Sequence, residues 1–431
     1  ISLIRPFYLT NTKPRSKPRY DTPRAPAKLL LDKPWPLLGH QSPQEFMRGY
    51  WHKRPLLVRR AIPAFALAKQ AGQALASPIA AETLFEFACD GLSEARLVLT
   101  RPWSLDHGPF QKKQIPAIAK RDWTLLVQGV EARHPAAAAV LSWFRFIPDA
   151  RLDDLMISIA GVGGGVGPHV DSYDVFLIQM EGRRRWKISS QTDIDLRDDL
   201  PLKILSRFKP ENDWILEPGD LLYLPPHIAH EGVALDPGCQ TWSVGFRSPT
   251  YKELIAEGLW RLAESLEDDP KLHGLYADPN QTAVRNPAVL PERLEQEIIK
   301  RVAGLKLGQN AALMDGITAY LSEPKPQTIF DTPSRPLSPS AFRKALASKA
   351  LIPHPQTRLL IWGGTVYCNG EAVSLGQDLQ IAVIWRTLAE THSFALGRSR
   401  KSNGNKDLKH YRFDGHNTLY EAYRSGWLLL D

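Results

Sequence analysis

From Trp35 to about Arg247 the chain consists of many short apolar runs interrupted by Gly, Pro and Asp. Apolar runs of about four to eight residues between turn-forming residues are typical of short β-strands. Many short strands joined by turns favour a sandwich or small barrel over a doubly wound parallel sheet. Strands are predicted at residues 55–58, 155–160, 174–180, 183–189, 220–224 and 241–246, with short helices at 43–51 and 80–88.

After Pro249 the spacing of apolar residues becomes helical. Helices are predicted at 251–266, 290–305 and 309–321, and one apolar stripe is formed by Leu294, Ile298, Val302 and Leu305. An apolar stripe must be covered by another surface. The region 251–330 is therefore predicted to form a dimer interface or to cover the barrel of its own chain, and the sequence does not separate the two.

The last hundred residues have the pattern of a small α+β unit. A Pro/Ser-rich linker at 331–340 precedes a predicted helix at 341–349 and then a hairpin turning at Asn369-Gly370, two residues that tolerate the positive φ of a type I′ turn. Helices are predicted at 380–390 and 418–424. The unit, 331–431, resembles a winged helix. Its basic loop, 398–409, is interpreted as solvated, with direct nucleic-acid contact left open.

The first 34 residues carry eight Lys or Arg against Asp21 and Asp32, with several prolines between them. Such a composition is typical of a disordered basic arm. A dedicated polyanionic partner and a transit peptide are the alternatives for this segment.

Composition sets the general class of protein. With 431 residues the chain is long enough for two or three domains, and its 43% hydrophobic and 23% charged residues are ordinary for a globular protein. No apolar run approaches the length of about 20 residues that spans a bilayer. The three cysteines are scattered and fit a reducing compartment. We therefore expect a cytoplasmic protein with no membrane segment.

His169, Asp171 and a later histidine have the composition of a metal site. Two histidines and one carboxylate are the ligand set of non-haem Fe(II) oxygenases, which leave part of the metal open. Because strand side chains alternate between faces, His169 and Asp171 would point to the same side. The third ligand is His230 or His227; His230 is preferred because the chain continues from it into another predicted strand.

The strand predicted at 183–189 tests this site independently. Alternation puts Arg184 on the same face as Trp186 and Ile188, which mark that face as buried. A buried guanidinium needs an anionic partner. A dicarboxylic co-substrate and an internal Asp or Glu are the two solutions, and the nearby metal-site pattern favours the co-substrate.

The glycine-rich run at 161–167 does not match the pattern of a phosphate-binding loop, because no Lys-Ser or Lys-Thr follows it and the next segment is predicted to be a strand. We interpret it as a flexible lip through which a substrate approaches the metal closely.

At these positions the chain resembles the JmjC-type ribosomal oxygenases of the cupin superfamily, in particular their bacterial branch. The resemblance covers roughly residues 35–250 and is looser beyond them. It is carried by YWHKRP (50–55), DDLMIS (153–158), GGGVGPHVD (163–171), YDVF (173–176), GRRRW (182–186), YLPP (223–226), HEG (230–232) and SVGFR (243–247).

The resemblance implies a mainly β fold with α: a double-stranded β-helix (cupin/JmjC jelly roll) at 35–250, a helical dimerisation region at 251–330 and a C-terminal winged-helix-like domain. It implies Fe(II) held by His169, Asp171 and His230, with 2-oxoglutarate as co-substrate. The distal carboxylate of 2-oxoglutarate would meet Arg184, assisted by Ser158. The activity implied is hydroxylation of an arginine of large-subunit ribosomal protein sixteen by a homodimer.

Two other functions are compatible with these residues. The same ligands would serve a demethylase acting on N-methylated lysine or arginine. A metal-free cupin scaffold that binds ribosomal or nucleic-acid partners through its basic surface is the third hypothesis.

The basic arm before Trp35 departs from the bacterial pattern of the family.

Overall fold

The computed structural model describes residues 30–72, 75–267, 269–270, 272–283, 285–286, 288–374, 379–395 and 418–431. The chain divides into two compact units, Ile1–Ser248 and Pro249–Asp431. Most of the predicted basic arm and all of the predicted basic loop at 398–409 lie outside the described residues. The finer division into four segments stays a prediction.

In the described part of the first unit there are twelve strands. They are β1 (Leu56–Val58), β2 (Ala95–Thr100), β3 (Trp103–His107), β4 (Trp123–Val127), β5 (Leu152–Ala160), β6 (His169–Val170), β7 (Asp174–Glu181), β8 (Arg184–Ser189), β9 (Asn212–Leu216), β10 (Leu221–Leu224), β11 (Ala229–Ala234) and β12 (Cys239–Phe246). Eight of them form an antiparallel sheet in the order β1-β10-β7-β12-β5-β4-β2-β3. The other four form a second antiparallel sheet, β6-β11-β8-β9.

The two sheets pack face to face. Leu177 and Leu222 of the large sheet share one buried cluster with Trp186, Ile188 and Leu216 of the small sheet. Because side chains alternate along a strand, the neighbouring residues of the large sheet point to its other face. The predicted mainly β architecture of facing sheets is confirmed, and the interior between them is where the candidate site lies.

The outer face of the large sheet is covered by helices. They are α1 (Pro43–Gly49), α2 (Pro63–Gln70), α3 (Ala81–Cys89) and α4 (Pro135–Leu141). Phe46, Leu84 and Val140 belong to the same buried cluster as Ile157 and Phe176 of the sheet. A capping box between Ser42 and Glu45 begins α1.

A buried carboxylate joins the entry segment to the barrel. The Asp174 carboxylate, at the start of β7, is fully buried and accepts a hydrogen bond from the Tyr223 hydroxyl at 2.6 Å. His52 Nε2 lies 2.8 Å and Arg151 Nη2 3.3 Å from its other oxygen. Burial raises the pKa of Asp174, while these partners oppose that rise. The cluster holds the chain in place just after the predicted ligand Asp171.

The second unit begins with α5 (Tyr251–Leu266), α6 (Glu292–Gly304) and α7 (Ala311–Leu321). Helices α5 and α7 pack closely, since a Cβ on Gly258 would meet the Ile317 side chain at 2.7 Å. On α6, Ile298 is 50% and Val302 49% exposed. The three helices are where the apolar periodicity predicts them, but the stripe on α6 stays half exposed.

The remainder of this unit has α8 (Pro339–Leu346), β13 (Leu351–Pro353), β14 (Leu359–Trp362), β15 (Thr365–Cys368), β16 (Glu371–Ala372), α9 (Leu379–Thr391), α10 (Thr418–Arg424) and β17 (Leu428–Leu430). Strands β15 and β16 are joined by Asn369 (φ 52°) and Gly370 (φ 94°), which confirms the predicted turn. The buried core of this part of the second unit includes Phe342, Trp385 and Leu419. No helix among the described residues is both long and apolar enough to cross a membrane.

Candidate metal centre

Strand register brings the two candidate histidines together. In the small sheet His169 of β6 pairs with His230 of β11, and His230 pairs with Ile188 of β8. Residues directly opposite each other in an antiparallel pair have their side chains on the same face. Both histidines therefore face the barrel interior, together with Ile188 and, two and four residues before it, Trp186 and Arg184.

The three predicted ligands converge at one point. His169 Nε2 lies 3.9 Å from one carboxylate oxygen of Asp171, and His230 Nε2 lies 3.6 Å from the other. The ligand atoms all lie within 4.8 Å of one another. A divalent ion with bonds of about 2.0–2.2 Å to histidine and carboxylate fits between ligand atoms at such separations. The donor set suits iron and leaves coordination positions open.

Backbone carbonyls orient both imidazoles for metal binding. His169 Nδ1 lies 2.9 Å from Gly167 O, and His230 Nδ1 lies 2.8 Å from Ile228 O. A carbonyl can only accept, so each Nδ1 carries the proton and each Nε2 presents its lone pair to the other ligands. Burial and the neighbouring His169 lower the pKa of His230 to about 4. The neutral imidazole that a metal requires is thus the form present at neutral pH.

His227, the alternative third ligand, lies outside this group. It is exposed, has a φ of 67°, and its backbone N–H donates to Asp171 O at 2.9 Å. The geometry therefore groups His230, which is 3% exposed, with His169 and Asp171, and it places His227 at the rim.

Arg184 is buried on the inner face, as strand alternation predicts. It is 4% exposed, and its Nε and Nη2 have no hydrogen-bond partner among the described residues. Among the residues that the structure describes, no Asp or Glu pairs with Arg184, so the internal partner that the sequence left open is not found. By contrast, the outward-facing Arg183 and Arg185 each pair with a surface aspartate. Since an unpaired buried guanidinium is costly, Arg184 is suited to an anion that enters the barrel.

Trp186 lies between the metal ligands and Arg184. Its ring centroid is 6.0 Å from that of His230 and 6.0 Å from the Arg184 guanidinium carbon. Its indole Nε1 is also buried without a partner among the described residues. A dicarboxylate that reached from the metal to Arg184 would run along this side chain, and the unpaired donors fit such a ligand.

Ser158 faces the same interior from the large sheet. It pairs with Thr241 of β12, which in turn pairs with Gln179 of β7. The Ser158 hydroxyl is buried and donates to Thr241 O at 3.4 Å. Its predicted contact with a co-substrate carboxylate stays a prediction.

Tyr173 is a site residue that sequence reasoning missed. Burial and the nearby Asp171 carboxylate raise the pKa of the Tyr173 hydroxyl. Asp154 and Asp153 also act on it electrostatically. A tyrosine two residues after the carboxylate of a His-x-Asp pattern is the sequence signal that marks it, because the groups next to a metal-ligating carboxylate influence its orientation.

The glycine run before His169 is packed against the barrel. A Cβ on Gly161 would overlap Lys120 O, and one on Gly164 would overlap Trp123 O. The Gly163 N–H donates to Ala234 O at 2.9 Å, tying the run to β11. The interpretation as a flexible lip is therefore replaced: these glycines permit close backbone packing that positions His169.

Comparisons with known proteins agree with this geometry. A family model described as the JmjC domain matches residues 139–254. The chain is 33% identical over 334 residues to the ribosomal protein uL16 3-hydroxylase of Escherichia coli, covering 76% of this chain and 84% of that protein. It is 34% identical over 229 residues to a probable ribosomal oxygenase of Haemophilus influenzae, covering 50% of this chain and 52% of that one.

A solved structure of YcfD, a ribosomal oxygenase from Escherichia coli, in complex with cobalt and 2-oxoglutarate is also similar. The TM-score is 0.69 at 28% identity, and the match covers 90% of this chain and 98% of that one. These likenesses establish the cupin/JmjC type of double-stranded β-helix expected from the motifs. The chain belongs to the JmjC-domain ribosomal oxygenases.

Proposed function

We propose that this protein is an Fe(II)- and 2-oxoglutarate-dependent oxygenase that hydroxylates an arginine of large-subunit ribosomal protein uL16. One observation carries the proposal: a two-histidine, one-carboxylate group shares the barrel interior with the unpaired guanidinium of Arg184. The activity named for the Escherichia coli relative and the ligands named in the YcfD structure support it.

Each residue of the site has a defined task in this reaction. His169, Asp171 and His230 hold one side of the metal and leave the other side open. When bound, iron and 2-oxoglutarate supply the oxidising chemistry that inserts one oxygen atom into a C–H bond. Arg184 orients the co-substrate through its distal carboxylate, with Ser158 beside it. The surrounding apolar side chains exclude water, and no protein nucleophile or general base is needed.

Acidic groups at the site suit a cationic substrate side chain. Asp153 and Asp154 act on Tyr173 together with Asp171. Negative charge attracts a guanidinium, and the phenol and carboxylate oxygens accept its hydrogen bonds. This charge supports an arginine target over an apolar one.

The helical module supports a homodimer. Trp260 on α5 is 68% exposed, and Ile298, Ile299 and Val302 on α6 are about half exposed. Apolar patches of this kind mark protein–protein contacts. We assign residues 35–250 to the oxygenase domain, 251–330 to dimerisation and 331–431 to a winged-helix-like domain, in a protein of the cytoplasm, where ribosomal proteins are made.

Intact masses of large-subunit ribosomal proteins from wild-type cells and from cells lacking this gene test the proposal. We expect uL16 to be one oxygen atom lighter in the deletion strain. A methyl-sized difference would instead support the demethylase hypothesis, and identical masses for every protein would contradict both.

A further inference from the structure

The segment between β2 and β4 is strongly basic. Residues 101–122 contain five basic side chains and two acidic residues, Asp106 and Asp122. The five basic residues are all exposed, and we refer to them together as the cationic rim: Arg101, Lys112, Lys113, Lys120 and Arg121.

The cationic rim differs from several exposed arginines of the oxygenase unit that are paired. Arg59, Arg183 and Arg207 are each within about 3 Å of a carboxylate oxygen. Within the described ranges, no member of the rim has a carboxylate within ion-pair distance or a hydrogen bond from its charged group. Five uncompensated charges on one segment attract a polyanion more strongly than any one paired arginine would.

This segment borders the loop that positions His169. The Thr100 N–H donates to Asp122 O at 2.9 Å, which places the turn at Arg101 beside the turn at Arg121. Arg121 Nη2 lies 3.8 Å from where a Cβ would stand on Gly163. The Trp103 ring lies 3.3 Å from the equivalent point on Gly167, two residues before His169. A polymer on the rim would therefore pass next to the metal centre.

We propose that the cationic rim binds a single-stranded segment of RNA beside the metal centre; this rests on the proposed function. Ribosomal proteins that contact RNA are themselves basic, so a bare substrate would be repelled by the rim. An RNA segment would neutralise both surfaces and hold the substrate at the entrance. Trp103 is partly exposed and offers a ring for base stacking, which an acidic protein would not use.

Fluorescence anisotropy with the full chain tests this surface. The probes are a labelled single-stranded RNA of about 16 nucleotides and a polyglutamate peptide of equal charge. The rim variant carries Arg101→Glu, Lys120→Glu and Arg121→Glu. The matched control carries Arg343→Glu, Lys344→Glu and Lys349→Glu, three exposed residues of the second unit. The corresponding Gln triple variant of the rim repeats the test without charge reversal.

We expect the rim variant to bind RNA at least tenfold more weakly and the control to bind within twofold of wild type. The logarithm of the association constant should depend less steeply on the logarithm of the salt concentration, with a slope smaller by about 2. Each of the three lost phosphate contacts to a single strand contributes about 0.7 to that slope. Equal loss in the control, equal binding of polyglutamate, or no RNA binding by the wild type would each overturn the proposal. The measurement needs neither iron nor 2-oxoglutarate, so its failure leaves the hydroxylase activity standing.

Discussion

The barrel interior and the helical module leave opposite kinds of groups without partners. Inside the barrel, donors of Arg184 and Trp186 are buried and unpaired among the described residues. On the helices, Trp260, Ile298 and Val302 are apolar and exposed. A buried unpaired donor destabilises the fold by about 1–3 kcal/mol. Exposed apolar surface lacks the hydrophobic stabilisation of about 25 cal/mol that burying each Å² would provide.

The difference indicates what each region binds. A small anion can enter the barrel and satisfy its donors, but it cannot cover several helical side chains. Only a macromolecular surface buries the apolar residues of α5 and α6, and it contributes nothing to the inner donors. Changes in one region should therefore alter small-ligand chemistry, and changes in the other should alter assembly.

The largest effect is expected inside the barrel, for Asp171→Ala. Removing the only carboxylate of the ligand group leaves two neutral imidazoles, which bind Fe(II) poorly. Succinate formation in an aerobic assay with Fe(II) and 2-oxoglutarate should fall to background. His227→Ala is the control and should retain metal binding, because His227 lies outside the group. Turnover at the wild-type rate in Asp171→Ala would contradict the assignment of Asp171 as a ligand of the catalytic metal.

Arg184→Ala should produce the next largest effect. Hydrogen bonds to charged groups contribute about 1.5–3 kcal/mol, so the 2-oxoglutarate concentration giving half-maximal rate should rise about ten- to a hundredfold. The matched control is Arg183→Ala, on the outer face of the same strand, where the exposed pair with Asp236 contributes little. Equal effects of the two changes would return Arg184 to a structural role.

On the helical module, Ile298→Glu with Val302→Glu should weaken self-association at least tenfold. Two charges would be buried in an apolar contact, which is unfavourable. Sedimentation velocity measures the shift to monomer, with Lys300→Glu, on the opposite side of α6, as the control. A wild-type protein that is monomeric at micromolar concentration would contradict the dimer.

The smallest effect is expected for Trp186→Phe, which keeps an aromatic ring and removes the indole N–H. If that donor meets the co-substrate, 2-oxoglutarate affinity should fall about threefold, because one neutral hydrogen bond is worth about 0.5–1.5 kcal/mol. Calorimetry with Mn(II) in place of iron measures it. Unchanged affinity with raised thermal stability would show that the N–H is an unused buried donor.

Patterns with a short period were predictable from the sequence. Alternation along β8 correctly placed Arg184 inward, since the side-chain period of a strand is two. The start of α5 follows from its capping box, in which Thr250 and Glu253 satisfy each other's backbone N–H groups. The His-x-Asp spacing likewise indicated a shared face before any pairing partner was known.

Features that depend on distant partners were not predictable. The strands β2, β3, β4 and β9 were missed. In the case of β4 the reason is that it is buried on both faces and shows no alternation. Tyr173 was missed because its closeness to the Asp171 carboxylate exists only in the folded loop. The role of Gly164 depends on the close approach of Trp123, about forty residues earlier in the chain.

Titration of the purified protein with Mn(II), a redox-inert substitute for Fe(II), tests most directly that His169, Asp171 and His230 form a single metal site. We predict one ion bound per chain in the wild type and in His227→Ala, and no saturable binding in His230→Ala. Undiminished binding by His230→Ala, or loss of binding in His227→Ala alone, would contradict the account.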